Sequence, residues 1–194
     1  MAASAIERPI HLRLKGIPPP LWQQARRHAN AGEVGGFFGS TDSGTSMYLL
    51  TRNWSWFKRR ELHVKALLFA WSNQKVAYQW EPAMRYHLLE CDRADLFNCS
   101  DPFPEGESYT LYRGVQRKSD PRGISWTTSL EVARWFATRM GGNGTVHTAT
   151  VKRKDVYAHI HESGRGEHEM LLLLNGDEPL TAVEVSENSD AEAA

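Results

Sequence analysis

Two hydrophobic rhythms divide this chain, and the change between them falls at one short proline-rich stretch. Ahead of it, Val64, Leu67, Leu68 and Trp71 recur at i, i+3, i+4 and i+7, the buried stripe of a helix. Behind it, from Ser108 on, the period shortens toward that of strands. The stretch between, Asp101-Pro102-Phe103-Pro104-Glu105-Gly106, is a linker by composition. A helical half followed by a strand-rich half predicts an α+β fold. With 194 residues, 41% of them hydrophobic and 10% aromatic, the chain is expected to be a single domain over residues 1–186 with a real core. Within it, 1–52 form an N-terminal accessory segment, 53–105 a helical segment and 106–186 the β core. Residues 187–194 carry no apolar periodicity and are expected to be disordered.

The alternation of Ile10, Leu12 and Leu14 with His11, Arg13 and Lys15 predicts a short strand, ended by Pro18-Pro19-Pro20. A basic helix is expected over 21–31, a glycine-rich loop over 32–44, a strand over 47–51 and one helix over 54–79. Pro82 suits the first turn of a further helix, 81–91. In the second half, strands are expected over 108–115 and 124–128. Ser129 can cap a helix over 130–140, stopped by Gly141-Gly142-Asn143-Gly144. Strands follow near 145–151, 156–161 and 169–174, and Asn175-Gly176 turns the chain into a last one at 180–185.

The net charge is zero, but it is unevenly spread. Residues 1–85 hold 12 Lys/Arg and 5 Asp/Glu, a balance of +7, so the remainder carries −7. A basic half joined to an acidic half hints at an anionic partner, although ordinary scatter does the same. Cys91 and Cys99 form no CxxC pair and read as free thiols in a reducing compartment. No apolar run is long enough to cross a membrane, and the first residues lack the layout of a signal peptide, so a cytoplasmic protein is expected.

Three expected strands each carry one kind of polar group. The first holds Tyr112-Arg113-Gly114, the second Ser125-Trp126-Thr127-Thr128-Ser129, and a later one opens with Glu167-His168-Glu169. Each is commonplace alone: a strand arginine usually sits in a salt bridge, Thr-Thr-Ser before a helix is usually a cap, and Glu-x-Glu is usually a solvated strand face. Their order and strand contexts make the signal. In that order the set resembles the mono-ADP-ribosyltransferase family, in its arginine / Ser-Thr-Ser / Glu-x-Glu class. One departure is that Thr127 stands where the class has its first serine; Ser125, on the same strand face, is the alternative.

The resemblance implies a split β-sandwich core and cleavage of the nicotinamide–ribose bond of NAD, with NAD as substrate and no metal. Glu169 would be the catalytic carboxylate, stabilising positive charge at the ribose carbon as in glycoside hydrolysis. Thr127 could hold Glu169 by a hydrogen bond. Arg113 can grip pyrophosphate with its planar fork. Gly114 lets ligand approach the backbone, and the neighbouring Tyr112, Ser125, Trp126, Thr128 and Ser129 belong to the same NAD site. Trp126 or Phe136 could stack on the nicotinamide ring. Glu167, two residues before Glu169, would share its face in a strand and serve the incoming nucleophile. The glycine-bearing segment 162–166 would be a mobile target-recognition loop.

Two further constellations stand outside that set. His159 and His161, with His147 and His168 near in sequence, make a metal site conceivable, against a solvated strand edge. The run Thr51-Arg52-Asn53-Trp54-Ser55-Trp56-Phe57-Lys58-Arg59-Arg60 interleaves cations with aromatics, as nucleic-acid-binding surfaces do, and equally as core tryptophans beside a basic face do. The expected acceptor is therefore a macromolecule, nucleic acid (RNA or DNA) slightly ahead of protein. The alternatives are an NAD glycohydrolase and a non-catalytic nucleic-acid-binding module. By analogy with small members of the family, a toxin or phage-encoded effector with an antitoxin or immunity partner is a plausible setting.

Overall fold

The computed structural model describes residues 10–74, 78–116, 120–161, 166–177 and 179–186. The expected disordered tail, 187–194, and most of the expected recognition loop, 162–165, lie outside them. The chain divides into two compact units, Met1–Ala77 and Tyr78–Ala194, and the division falls inside the segment expected to be helical as a whole.

The first unit is helical: α1 (Trp22–Ala31), α2 (Val34–Phe38), α3 (Ser46–Lys58) and α4 (His63–Ser72). Its core is aromatic, with Phe38 stacked between Phe57 and Phe69 at centroid distances of 5.9 Å each. Several expectations fail here. Residues 10–14 form no strand, because Asn53 takes the place of a neighbouring strand: its side chain accepts from the Arg13 amide (2.7 Å) and donates to the Arg13 carbonyl (2.9 Å). The glycine-rich stretch 32–44 is not all loop; α2 forms in it and buries Val34, Phe37 and Phe38. Residues 47–51 are helix, because Met47, Leu50, Trp54 and Phe57 continue one buried stripe through α3. The single helix expected over 54–79 is broken within its described part, between α3 and α4, and its residues 75–77 lie outside the described ones. The break is a left-handed turn at Glu61 (φ 58°), after which the Leu62 amide donates back to the Phe57 carbonyl (3.0 Å). No glycine or asparagine marks that turn.

The second unit opens with α5 (Glu81–Glu90), with Pro82 in its first turn as expected. It continues with α6 (Arg93–Cys99), which Asp92 caps by accepting from the Ala94 amide. Then come β1 (Ser108–Gln116), β2 (Ser125–Thr127), α7 (Leu130–Thr138), β3 (Asn143–Lys152), β4 (Ala158–Ile160), β5 (Glu169–Leu171) and β6 (Thr181–Ser186). All pairings are antiparallel, in the order β4-β5-β2-β1-β3-β6. The protein is thus α+β, as the change of period predicts.

The sheet has a weak seam. β1 and β3 pair over nine positions, Ser108↔Lys152 to Gln116↔Gly144, whereas β1 and β2 meet at one, Tyr112↔Thr127. On one face Tyr109, Leu111, Trp126, Ala149, Val151 and Met170 form the main core. On the other, α7 lays Ala133 and Ala137 against Val146, with Tyr112 and Val185 alongside. Glycines permit that approach: a Cβ on Gly114 would stand 1.9 Å from the Ala133 carbonyl oxygen, and one on Gly144 2.1 Å from that of Ala137. Among the described residues no helix is long and apolar enough to cross a membrane.

Candidate active site

The three motifs converge on the seam. Tyr112 is partnered with Thr127, and Thr127 with Glu169, so the three residues lie side by side across β1, β2 and β5. The hydroxyl that engages the glutamate is that of Ser125, which donates to Glu169 Oε1. Thr127 has a different task. Its hydroxyl donates to the Glu167 carbonyl (2.7 Å) and accepts from the Ser129 amide (3.0 Å), tying the Glu-x-Glu approach to the β2–α7 turn. Of the two candidates, Ser125 positions Glu169. Ser129 caps α7 by accepting from the Val132 amide (3.2 Å).

Arg113 is built into the protein. Nη1 donates to the Ser125 carbonyl (2.8 Å), Nε to the Asp120 carbonyl (3.2 Å), and Nη2 to Glu81 Oε1 on α5 (3.3 Å). The Arg113 and Glu81 side chains are only 14% and 15% exposed. Burial pulls the guanidinium below its ordinary pKa, and Glu81, Asp120 and Glu169 oppose that fall. Three of its N–H groups thus hold protein atoms, which limits the fork left for a pyrophosphate. Gly123 is part of the same packing, since a Cβ there would lie 2.0 Å from Arg113 Nη2.

Other expected contacts move or disappear. Trp126 is 2% exposed, packs in the main core and donates from Nε1 to the Gly123 carbonyl (2.9 Å), so it cannot stack on a ligand. Gly114 is needed by the backbone of α7, as its contacts show, so ligand approach is not what requires a glycine there. Phe136 is half-buried, edge-on to Trp135 at 4.9 Å, with the Arg139 guanidinium 4.6 Å from its centroid. Thr128 is half-buried just past the end of β2. The same-face argument for Glu167 and Glu169 fails: β5 starts at Glu169, and His168 before it has φ 49°, so strand alternation does not reach Glu167.

That left-handed histidine sets its ring on His161, with centroids 3.6 Å apart and planes 15° apart, and His159 lies 6.3 Å away. The rings stack face to face, and among the described residues no group of three or more His, Cys, Asp or Glu could hold a metal ion. Burial, with His161 and His159 beside it, pulls His168 below its ordinary pKa. Burial, then Arg113 and Arg122, does the same to His147, which lies opposite Arg113. In the first unit, Trp54 and Trp56 are 7% and 6% exposed, so the basic–aromatic run offers no open indole face; the Arg60 guanidinium sits 4.3 Å from the Trp56 centroid.

A left-handed backbone at a residue other than glycine, as at His168 next to Glu169, is sparsely populated, and such residues cluster at functional sites. Glu81 is the site residue that sequence reasoning missed, and a helix-start glutamate beside a proline gives no hint of an arginine 32 positions later. The assembled set is a carboxylate fixed by a hydroxyl, with a buried cation in Coulomb range, beside a thin seam in a sheet. Such a set can present negative charge to a cation that develops on a bound ligand. The chain matches no protein-family model, no curated protein and no solved structure, so what this site can do follows from its own residues.

Proposed function

We propose that the chain is an NAD-dependent mono-ADP-ribosyltransferase that transfers ADP-ribose to a macromolecule, nucleic acid ahead of protein. The observation that carries this reading is the Ser125–Glu169 contact between neighbouring strands, with Arg113 bonded to the backbone of the same serine. The single-pair join between β1 and β2 supports a split-sandwich arrangement of the kind the family resemblance implies.

In the proposed step the bond between ribose C1′ and the nicotinamide nitrogen breaks. Its electron pair leaves with nicotinamide, which becomes neutral, and positive charge develops on the ribose. Glu169 stabilises that charge through the ribose hydroxyls. An acceptor oxygen or nitrogen then bonds to C1′ and gives up its proton to a carboxylate or to water. Glu169→Gln keeps the shape and removes the charge. Nicotinamide release from NAD should fall at least about a hundredfold. A variant within about twofold of the parent overturns the assignment. Release that proceeds equally with and without cell-derived acceptors, leaving no label on macromolecules, makes the protein an NAD glycohydrolase instead.

A further inference from the structure

A cavity lies on the same unit and shares no residue with the set around Glu169. Its volume is about 620 Å³, and its lining includes Arg93, Lys152, Lys154 and Tyr157, with buried Val151 and Leu172 below. Three cations face it against one carboxylate, Asp155. The arginine is pinned in place. Its Nη2 donates to the carbonyls of Lys154 and Val156, both at 2.6 Å, and its Cζ lies 3.8 Å from the Tyr157 centroid. Arg153, between the two lysines, is engaged elsewhere: it donates to the Pro104 carbonyl (3.0 Å) and lies near Phe97 and Phe103. Lys152 and Lys154 are exposed at the cavity.

We propose that this cavity binds the sugar–phosphate backbone of a single-stranded nucleic acid. It rests on the transferase reading only in naming that strand as the acceptor. A guanidinium already ordered by two carbonyls and a ring loses little freedom when a phosphate arrives. Lys152 and Lys154 bring two more cations to the same cavity, and neutralisation of phosphates by such groups releases counterions. Tyr157 gives a ring face to Arg93 and so helps to hold that cation at the cavity. The volume falls within the range of about 300–1,000 Å³ typical of small-molecule and cofactor sites, room for part of a strand. With Trp54 and Trp56 buried, the run 51–60 offers no stacking surface for such a strand.

The test is fluorescence anisotropy of the full chain with a labelled single strand of about 12 nucleotides, at low salt and without NAD. The parent should bind. K152E/K154E should weaken binding at least about tenfold and reduce the log–log salt slope by about 1.4, at about 0.7 per single-strand phosphate contact. K152A/K154A, checked by thermal melt, should show the same slope change if the glutamates disturb the fold. No binding by the parent, or variants that match it in affinity and slope, overturns the proposal. Displacement by AMP as effective as by the unlabelled strand assigns the cavity to a free nucleotide, and displacement by polyglutamate in preference to the strand assigns it to an acidic protein; either overturns it. Glu169→Gln should bind the strand like the parent. If the parent binds through Lys152 and Lys154 yet never consumes NAD, the cavity stands and the transferase reading falls.

Discussion

Ser125 and Thr127 stand two residues apart on one short strand, and the structure gives them different work. Ser125→Ala removes the hydroxyl that donates to Glu169 Oε1 and leaves the strand pairing intact. A hydrogen bond to a charged group contributes about 1.5–3 kcal/mol. If that contact is needed to hold the carboxylate against the developing cation, its loss slows turnover by about 10- to 150-fold, at tenfold per 1.36 kcal/mol. Thr127→Val is nearly isosteric and removes a donor to the Glu167 carbonyl and an acceptor for the Ser129 amide at a site only 6% exposed. Leaving such groups without partners costs about 1–3 kcal/mol, which in a chain of this size is a Tm lower by roughly 2–12 °C. Nicotinamide release and calorimetry on one set of preparations separate the two. The expected pattern is Ser125→Ala slow and stable, Thr127→Val measurably less stable. A Ser125→Ala variant at full rate, beside a Thr127→Val variant that is inactive at unchanged Tm, refutes the division of labour.

Gly114→Ala drives a methyl group into the Ala133 carbonyl and to 2.7 Å from the Ala137 amide nitrogen, so α7 must move; a loss of about 3 kcal/mol or more is expected from a denaturant midpoint, and an unchanged midpoint removes the packing argument. Arg113→Lys cannot reproduce bonds to the Ser125, Asp120 and Glu81 oxygens together, so a lower Tm is expected along with lost activity; lost NAD affinity at an unaltered Tm returns the arginine to phosphate binding. His168 is held below its ordinary value, so the fold favours its neutral form: that stability is present above the unfolded value near 6.5 and lost as pH falls from there toward the folded value. Tm should therefore drop as pH falls below about 6.5, and drop less in His168→Asn, whose side chain tolerates the left-handed backbone; equal drops refute the link.

The legible parts of this chain were those written as local periodicity or as turn chemistry. The strand/helix boundary after Asp101, the Ser129 cap, the Pro82 helix start and the strand after Asn175-Gly176 all needed only neighbours in sequence. The failures have more than one cause, and the first is a distant group that supplies what the local pattern lacks. Asn53 completes the hydrogen bonding of residue 13 from 40 positions away, so an alternating segment stays extended without a strand. Met47 to Thr51 is too short a window to separate period 2 from period 3.6, and only the continuation to Phe57 decides it. Glu61 ends α3 in a conformation that sequence assigns to glycine. In the candidate site the residue types were legible and their contacts were not. The serine–threonine exchange of roles turns on register, and the loss of the Glu167–Glu169 face turns on one backbone angle at His168.

The seam gives these contacts a common logic. A sheet whose central strands meet at a single register pair has almost no ladder between its halves. The half with β1, β3 and β6 is fixed by its long pairing and by α7, which two glycines admit to the backbone. The half with β2, β5 and β4 carries Ser125 and Glu169 on strands of three residues each. The main core crosses the seam, packing Tyr109 and Leu111 with Trp126 and Met170, and Arg113 adds a polar tie: it starts on β1 and donates to the carbonyl of Ser125 on β2, while Glu81 and Asp120 take its other bonds. An arginine in that place ties the hydroxyl to the well-ordered half, and the hydroxyl in turn holds the carboxylate. The order arginine, hydroxyl, glutamate along the chain is then the order of a mechanical linkage across the seam. Cutting it at Arg113 should loosen both later members, whereas cutting it at Ser125 should loosen Glu169 alone.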